Sequence, residues 1–296
     1  RKRSGSCWAR SRRSAASPIM TRCLSTRQVE HYAEKGFVSP ITAFSAGQAA
    51  ACRSRLEAME RADGGIAPDR RRKMHLYLEW VDEIVHHPRI LDAVEDLIGP
   101  DILLYHLTLW VKEPGSDARI SWHQDSTYFG LSPALHVTAW VALSASDLRS
   151  GCVQVVPGSH RAGQVPHAMT HQQDNLLPKG QEIDVAPDAP VESMVLQPGE
   201  FSLHHTHLHH CSLPNRSDDR RIGLGVSYIP ARCRCSARQR LTAMRVRGED
   251  RHHHFDAEER PRRDLDPDGL VRHADAMARW HRAREQLFAE AHGGSA

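Results

Sequence analysis

The sequence predicts a mainly β protein in a single domain, an antiparallel core with helices packed against its outside. Helical patterns cluster before residue 100, and from Ile102 onward the chain runs in short β-rich stretches separated by Gly/Pro turns. No strand–helix–strand alternation, the mark of a parallel sheet, occurs.

In order along the chain, Ser25 and Gln28 have capping-box spacing, a helical pattern follows through Val29 and Tyr32, and Gly36 ends it. A second helix is expected over 46–62. A third has Pro88 near its start, Ile90, Leu91, Val94 and Leu97 on one face, and Gly99 at its end. Together these give a helical part over 24–100. The core, 101–232, contains predicted strands at 102–112, 137–143, 152–156, 194–196, 201–204 and 222–229. Residues 161–193 form a polar connection too long to be inert and are expected to act as a lid or binding loop. A helix is expected over 264–290.

One strand describes the interior. In Arg221–Tyr228, Ile222, Leu224, Val226 and Tyr228 share one face, and Arg221, Gly223, Gly225 and Ser227 share the other. One Arg with three small residues does not fill a core. That face predicts the wall of a cavity with a cation at one end, where the alternative is a solvated face with bulge glycines.

Composition narrows the function. The 296 residues are 40% hydrophobic and 25% charged, with a formal charge of +3. Residues 1–19 hold six of the 39 basic residues and no acid, which leaves 33 basic against 36 acidic in the rest, a formal −3. The folded part therefore gives no electrostatic reason to expect nucleic acid. The Arg/Ser-rich segment 1–19 is expected to be a disordered extension ahead of a start at Met20, with a nucleic-acid arm or transit peptide as the alternatives. No apolar run is long enough to span a bilayer. Seven scattered cysteines do not form a disulfide framework, and Cys233 and Cys235 lack a second pair for zinc. Reduced thiols in a cytoplasm are expected.

Among 21 histidines the triplet His-x-Asp occurs three times, at His123–Asp125, His254–Asp256 and His273–Asp275. The last two lie in a charged tail with no β-rich segment after them and are expected at the surface. His123-Gln124-Asp125 follows a strand and is followed by more strands. Two imidazoles and a carboxylate on a β scaffold can occupy one face of an octahedral ion, leaving three positions open, an arrangement that suits iron(II). The second imidazole is expected within Leu203–Ser212, where His204, His205, His207, His209 and His210 all qualify.

The runs Ser121-Trp122-His123-Gln124-Asp125, Val137-Thr138-Ala139-Trp140 and Val156-Pro157-Gly158-Ser159-His160 come first. They precede His210-Cys211-Ser212-Leu213-Pro214-Asn215-Arg216-Ser217, Arg220-Arg221 and Tyr228-Ile229-Pro230. This ordered set resembles the phytanoyl-CoA dioxygenase family of iron(II)/2-oxoglutarate oxygenases, over about 24–265. The resemblance implies a double-stranded β-helix, the jelly roll of cupins. It selects His210 as the distal ligand, with Ser212 two residues on and Arg221 eleven residues on, the latter gripping the far carboxylate of 2-oxoglutarate through a planar fork. It implies His123, Asp125 and His210 as the metal triad. It places Gln124, Trp140 and Thr138 against the cosubstrate, and Tyr105 and Lys112 on a cavity-lining strand. His160 is expected to be structural, and Cys211 replaces the usual small residue with its side chain turned from the metal.

The implied reaction splits 2-oxoglutarate with dioxygen into succinate and carbon dioxide and hydroxylates a C–H bond of a small-molecule substrate. Halogenases of the family lack the carboxylate ligand, and Asp125 fills that position here. Desaturation, epimerisation or ring closure are other outcomes of the same chemistry, and a non-catalytic metal- or ligand-binding barrel is the rival from another class. No nucleic-acid or membrane partner is expected, and the oligomeric state is left open.

Overall fold

The computed structural model describes residues 22–292 except 171 and 178–180. The Arg/Ser-rich segment 1–19, with the expectations for it, lies outside the described residues.

The chain begins with α1 (Thr26–Lys35), capped by the predicted reciprocal Ser25/Gln28 pair and closed by left-handed Gly36. There follow β1 (Phe37–Thr42), α2 (Ala46–Asp63), α3 (Glu79–Val85) and α4 (Pro88–Ile98). Next come β2 (Ile102–Lys112), β3 (Ile120–His123), the single turn α5 (Ser126–Phe129), β4 (Leu131–Ser132), β5 (Val137–Ala142) and β6 (Val153–Val155). The hairpin β7 (Ala168–Met169) and β8 (Gln181–Glu182) precedes β9 (Glu192–Met194), β10 (Glu200–His205), β11 (His210–Ser212) and β12 (Arg221–Pro230). The chain ends in β13 (Arg234–Cys235), β14 (Thr242–Arg247), β15 (Asp256–Ala257) and α6 (Pro267–His292).

Two sheets form the core, a seven-stranded one ordered β1-β10-β5-β12-β2-β14-β15 and a four-stranded one ordered β3-β11-β6-β9. All pairings within them are antiparallel except β14 with β15. The large sheet has two differently used faces because side chains alternate along each strand. On β12, Ile222, Leu224 and Val226 join the main apolar core, which includes Ile90 and Val94 of α4 and Trp80 and Ile84 of α3. The opposite residues, Arg221, Gly223 and Gly225, face the small sheet. The glycines are required there: a Cβ on Gly223 would lie 2.2 Å from the Trp140 ring, and one on Gly225 3.0 Å from Trp110 Nε1. This arrangement is a jelly roll with helices on one outer face, as predicted.

Several elements depart from the sequence reading. The N-terminal part is not wholly helical, since β1 forms the edge of the large sheet. Pro40 hides this strand, and the structure tolerates it at an edge where the register shifts between Val38 and Ile41. The sheet also extends past 232 through β14 and β15. His273, expected at the surface, is buried, with Nε2 2.9 Å from the Arg72 carbonyl and its ring edge-on to Tyr77. Asp256 of the other discarded triplet is taken by Arg240 and Arg279. The six described cysteines, from Cys23 to Cys235, carry no disulfide.

Candidate metal centre and its anion pocket

Strand pairing places the first two functional side chains. His210 of β11 is the register partner of His123 of β3, which brings their ring centroids to 4.0 Å. Asp125 lies two residues beyond His123, where β3 has ended and the chain turns into α5. Its Oδ1 is 3.8 Å from His123 Nε2 and 3.7 Å from His210 Nε2. One donor atom from each of the three lies within 4.8 Å of the others.

The histidine tautomers are set by the backbone. His123 Nδ1 is 2.9 Å from the Ser121 carbonyl, and His210 Nδ1 is 2.9 Å from the Leu208 carbonyl. A carbonyl can only accept, so each Nδ1 carries the proton and each Nε2 turns a lone pair toward Asp125. Burial lowers the pKa of both rings and so favours the neutral, ligating form, while the Asp125 charge draws each back up. Burial pushes the Asp125 carboxyl up, but the adjoining His210 and His204 outweigh this and hold it well below the usual range. Thr138 Oγ1 donates to Asp125 Oδ2 at 2.6 Å, leaving Oδ1 as the oxygen that faces the two imidazoles. His136 supports Thr138, with Nε2 at 3.0 Å from Thr138 Oγ1 and Nδ1 at 3.0 Å from Thr206 Oγ1.

A cavity adjoins the triad and is lined by Trp140, Ser212, Arg221 and Gly225 among others. Arg221 is 1% exposed, and none of its three guanidinium nitrogens has a hydrogen-bond partner. Its guanidinium lies over Trp140, 4.3 Å from the ring centroid, and burial pushes its pKa down to about 10. A buried guanidinium with no acceptor costs several kcal/mol unless an anion meets it. Lys112, opposite Arg221 in the β2–β12 register, is satisfied by contrast: Nζ donates to Ser212 Oγ at 2.7 Å, to the Ser212 carbonyl at 3.0 Å and to the Leu213 carbonyl. Burial, then the Arg221 charge, push its amine down to about 6. Because Lys112 donates to Ser212 Oγ, the Ser212 hydroxyl proton is free to point elsewhere.

The remaining sequence-predicted residues divide. Thr138, Trp140, Ser212 and Arg221 line the cavity. Gln124 does not: its amide nitrogen donates to the Gly163 and His207 carbonyls at 2.8 and 2.7 Å, and its oxygen accepts from Val165 N, so it pins the 161–193 connection to the barrel. Lys112 acts through Ser212 rather than from the wall. Tyr105 sits in the end cluster, its hydroxyl donating to the Phe129 carbonyl and its ring edge-on to Phe129, Phe255 and Trp280. A bulge between Ser227 and Tyr228 gives β2 an extra residue, which puts Tyr105 on the inner face but past the cavity. Cys211 Sγ lies 3.9 Å from Gln154 Oε1, and the residue also contributes to the cavity lining. His160 contacts the Ala33 carbonyl at 3.3 Å, tying α1 to the barrel.

His204 and His136 were not singled out by the sequence. His204 is the register partner of Thr138, and its Nε2 lies 3.4 Å from Asp125 Oδ2. Alternation along β10 was the available signal for His204. Nothing local marked His136.

Comparison with known proteins decides the family. The model of the phytanoyl-CoA dioxygenase (PhyH) family matches residues 32–223. The chain belongs to the phytanoyl-CoA dioxygenase family. Its members are iron(II)/2-oxoglutarate oxygenases, and the donor set and the unpartnered guanidinium described above fit both groups. The chain is similar to the peroxisomal phytanoyl-CoA dioxygenase of Rattus norvegicus, 32% identical over 152 residues, or 50% of this chain and 45% of that one. It thus spans under half the length of the curated relative it matches there. A probable alpha-ketoglutarate-dependent hypophosphite dioxygenase of Stutzerimonas stutzeri is 25% identical over 69% of this chain and 78% of its own. Among solved structures, the non-heme monooxygenase ThoJ in its apo form superposes with a TM-score of 0.78 and 32% identity, covering 89% of this chain and 99% of that one. CytC3 with Fe(II) and alpha-ketoglutarate, at TM-score 0.62 and 21% identity, shares the fold over 82% of this chain and 96% of its own. No described helix of this PhyH-family chain is long and apolar enough to cross a membrane.

Proposed function

We propose that the chain is an iron(II)- and 2-oxoglutarate-dependent dioxygenase that hydroxylates an aliphatic C–H bond of a small-molecule metabolite, with succinate and carbon dioxide as coproducts. The observation that carries this reading is Arg221, a fully buried guanidinium without an acceptor in the cavity that His123, Asp125 and His210 also line. His123 Nε2, Asp125 Oδ1 and His210 Nε2 would hold iron(II). Arg221 would take the distal carboxylate of 2-oxoglutarate in a two-pronged, charge-assisted contact, with Ser212 Oγ donating a third bond. Bound iron(II) would supply the site for dioxygen activation coupled to cleavage of the 2-oxo acid.

The protein's own contribution is orientation and dryness. Thr138 fixes the rotation of Asp125, the Ser121 and Leu208 carbonyls fix the two imidazoles, and Trp140 holds the Arg221 plane. The cavity walls exclude bulk water, so the carboxylate would meet its cation at low dielectric. With Asp125 present the triad is complete, which favours hydroxylation over halogen transfer. Six uncrosslinked cysteines support a reducing, cytoplasmic setting.

The test is 2-oxoglutarate binding by calorimetry to protein loaded anaerobically with iron(II). Arg221→Ala is expected to weaken binding by about a hundredfold or more, and Arg221→Lys to recover part of it. Unchanged affinity in Arg221→Ala would remove the assignment.

A further inference from the structure

A second cavity also opens onto the triad. It shares His123 and Asp125 with the anion pocket and Trp110 with its wall. Its apolar lining includes Trp110, Phe129 and Trp280, and its polar lining is uneven. Two arginines, Arg72 and Arg284, and His106 stand against one acid, Asp125, which belongs to the metal triad. Arg72 Nη1 contacts Asp69 Oδ1 at 3.1 Å and the Pro68 carbonyl at 3.2 Å, but Asp69 is 54% exposed, so water screens its charge. His281 shares the same Asp69 carboxylate at 3.0 Å. Just behind the wall, Lys73 is matched by Glu258.

His106 is the second observation. It is 5% exposed, its ring stacks on Trp280 at 4.2 Å and 18°, and its Nδ1 has no hydrogen-bond partner. Burial, then the charges of Lys73 and Arg72, push its pKa well below the ordinary value, so the ring is neutral and can serve a ligand as donor or acceptor. Arg72 and Arg221 stand at different points along β2. Arg72 bridges Thr108 while Arg221 pairs with Lys112, which separates them by four residues of strand, roughly 13 Å. Arg72 and Arg221 line different cavities, which share His123, Asp125 and Trp110.

We propose that this cavity binds the primary substrate, and that the substrate is a small organic carboxylate whose anionic group is received by Arg72 while its apolar body lies against Trp110, Phe129 and Trp280. The barrel would then hold two carboxylates, the cosubstrate at Arg221 and the substrate at Arg72, in two cavities that both open onto the triad. The inference rests on the oxygenase reading for what happens at the triad, but the charge selectivity of the cavity can be measured without turnover.

Protein loaded anaerobically with iron(II) and 2-oxoglutarate is titrated with 3-phenylpropionate and decanoate, and with the matched neutral alcohols, by calorimetry. The acids are expected to bind at least about tenfold more tightly than the alcohols, and Arg72→Gln to remove that preference while leaving 2-oxoglutarate affinity within about twofold. Arg72→Lys is expected to keep part of it, and Arg284→Gln to reduce it in a protein whose Arg72 is intact. Equal affinity for acid and alcohol, no acid binding in the millimolar range, or a preference unchanged in both glutamine variants would overturn the proposal. If 2-oxoglutarate fails to bind while the acid preference persists, the oxygenase reading falls and this one stands.

Discussion

Thr138 shows how a neutral side chain governs a charged centre. Its hydroxyl donates to the Asp125 oxygen that does not face the imidazoles, so rotation of the carboxylate is restrained by one 2.6 Å bond. Thr138→Val keeps the shape of the side chain and removes the donor. Iron(II) affinity, measured by competition with a chelator, should fall by about ten- to a hundredfold with little change in melting temperature; unchanged affinity would mean that packing alone sets the carboxylate. At this scale the sequence was partly readable. His123, Asp125, His210 and Arg221 could be named because spacing and resemblance fix three of them on strands and Asp125 just past the end of one. Gln124 could not be placed, because a side chain just past a strand end turns to whichever backbone the neighbouring loops supply, here Gly163, Val165 and His207. Tyr105 lies on the inner face but past the cavity, beyond a bulge that no residue type announces.

Among the elements, β12 is the most constrained. Its outer face supplies core apolar residues and its inner face must leave space, and Gly223 meets both demands. The backbone there is ordinary β, so Gly223→Ala carries no conformational penalty of the left-handed kind. The cost is steric, since the new Cβ would stand 2.2 Å from Trp140 and the ring must shift, taking the Arg221 stacking surface with it. Gly223→Ala should therefore weaken 2-oxoglutarate binding by about tenfold or more, and cost roughly 1–3 kcal/mol in stability by denaturant unfolding. Loss of stability with intact 2-oxoglutarate affinity would show that Trp140 does not position the arginine. The glycine pattern was legible as a cavity wall before any coordinates. The elements that escaped were those whose local signals conflict with their state. β1 contains proline, α3 is only seven residues long, and β14 alternates with arginines in a charged stretch.

For the whole molecule, segments far apart in the chain are clamped together by buried charges. Lys73 and His75, before β2, meet Glu258, after β15, with His75 Nε2 2.9 Å from Glu258 Oε2. Burial alone would raise the Glu258 carboxyl, but the Lys73 charge and then His75 outweigh it and hold the pKa at about 2. A depressed carboxyl stabilises the fold above its unfolded value of 4.5 and loses that contribution as pH falls toward about 2. Chemical denaturation between pH 6 and pH 2.5 should therefore show a steep loss of stability on the acid side, flattened in Glu258→Gln, which is less stable than wild type at pH 6. A parallel pH profile in the variant would assign acid lability elsewhere. Fold class was legible at this scale from helices first and strands after. This clamp was not, because it joins residues 185 positions apart through segments with no shared pattern.

The proposed reaction needs three side chains from two paired strands and a turn to meet around one iron, with 2-oxoglutarate bound beside it. Anaerobic addition of iron(II) and then 2-oxoglutarate, followed by visible absorption, tests this most directly. A metal-to-ligand charge-transfer band should appear in the wild type only when both are present, and be absent from Asp125→Ala and His210→Ala. A band that persists in both variants, or none in the wild type, would contradict it.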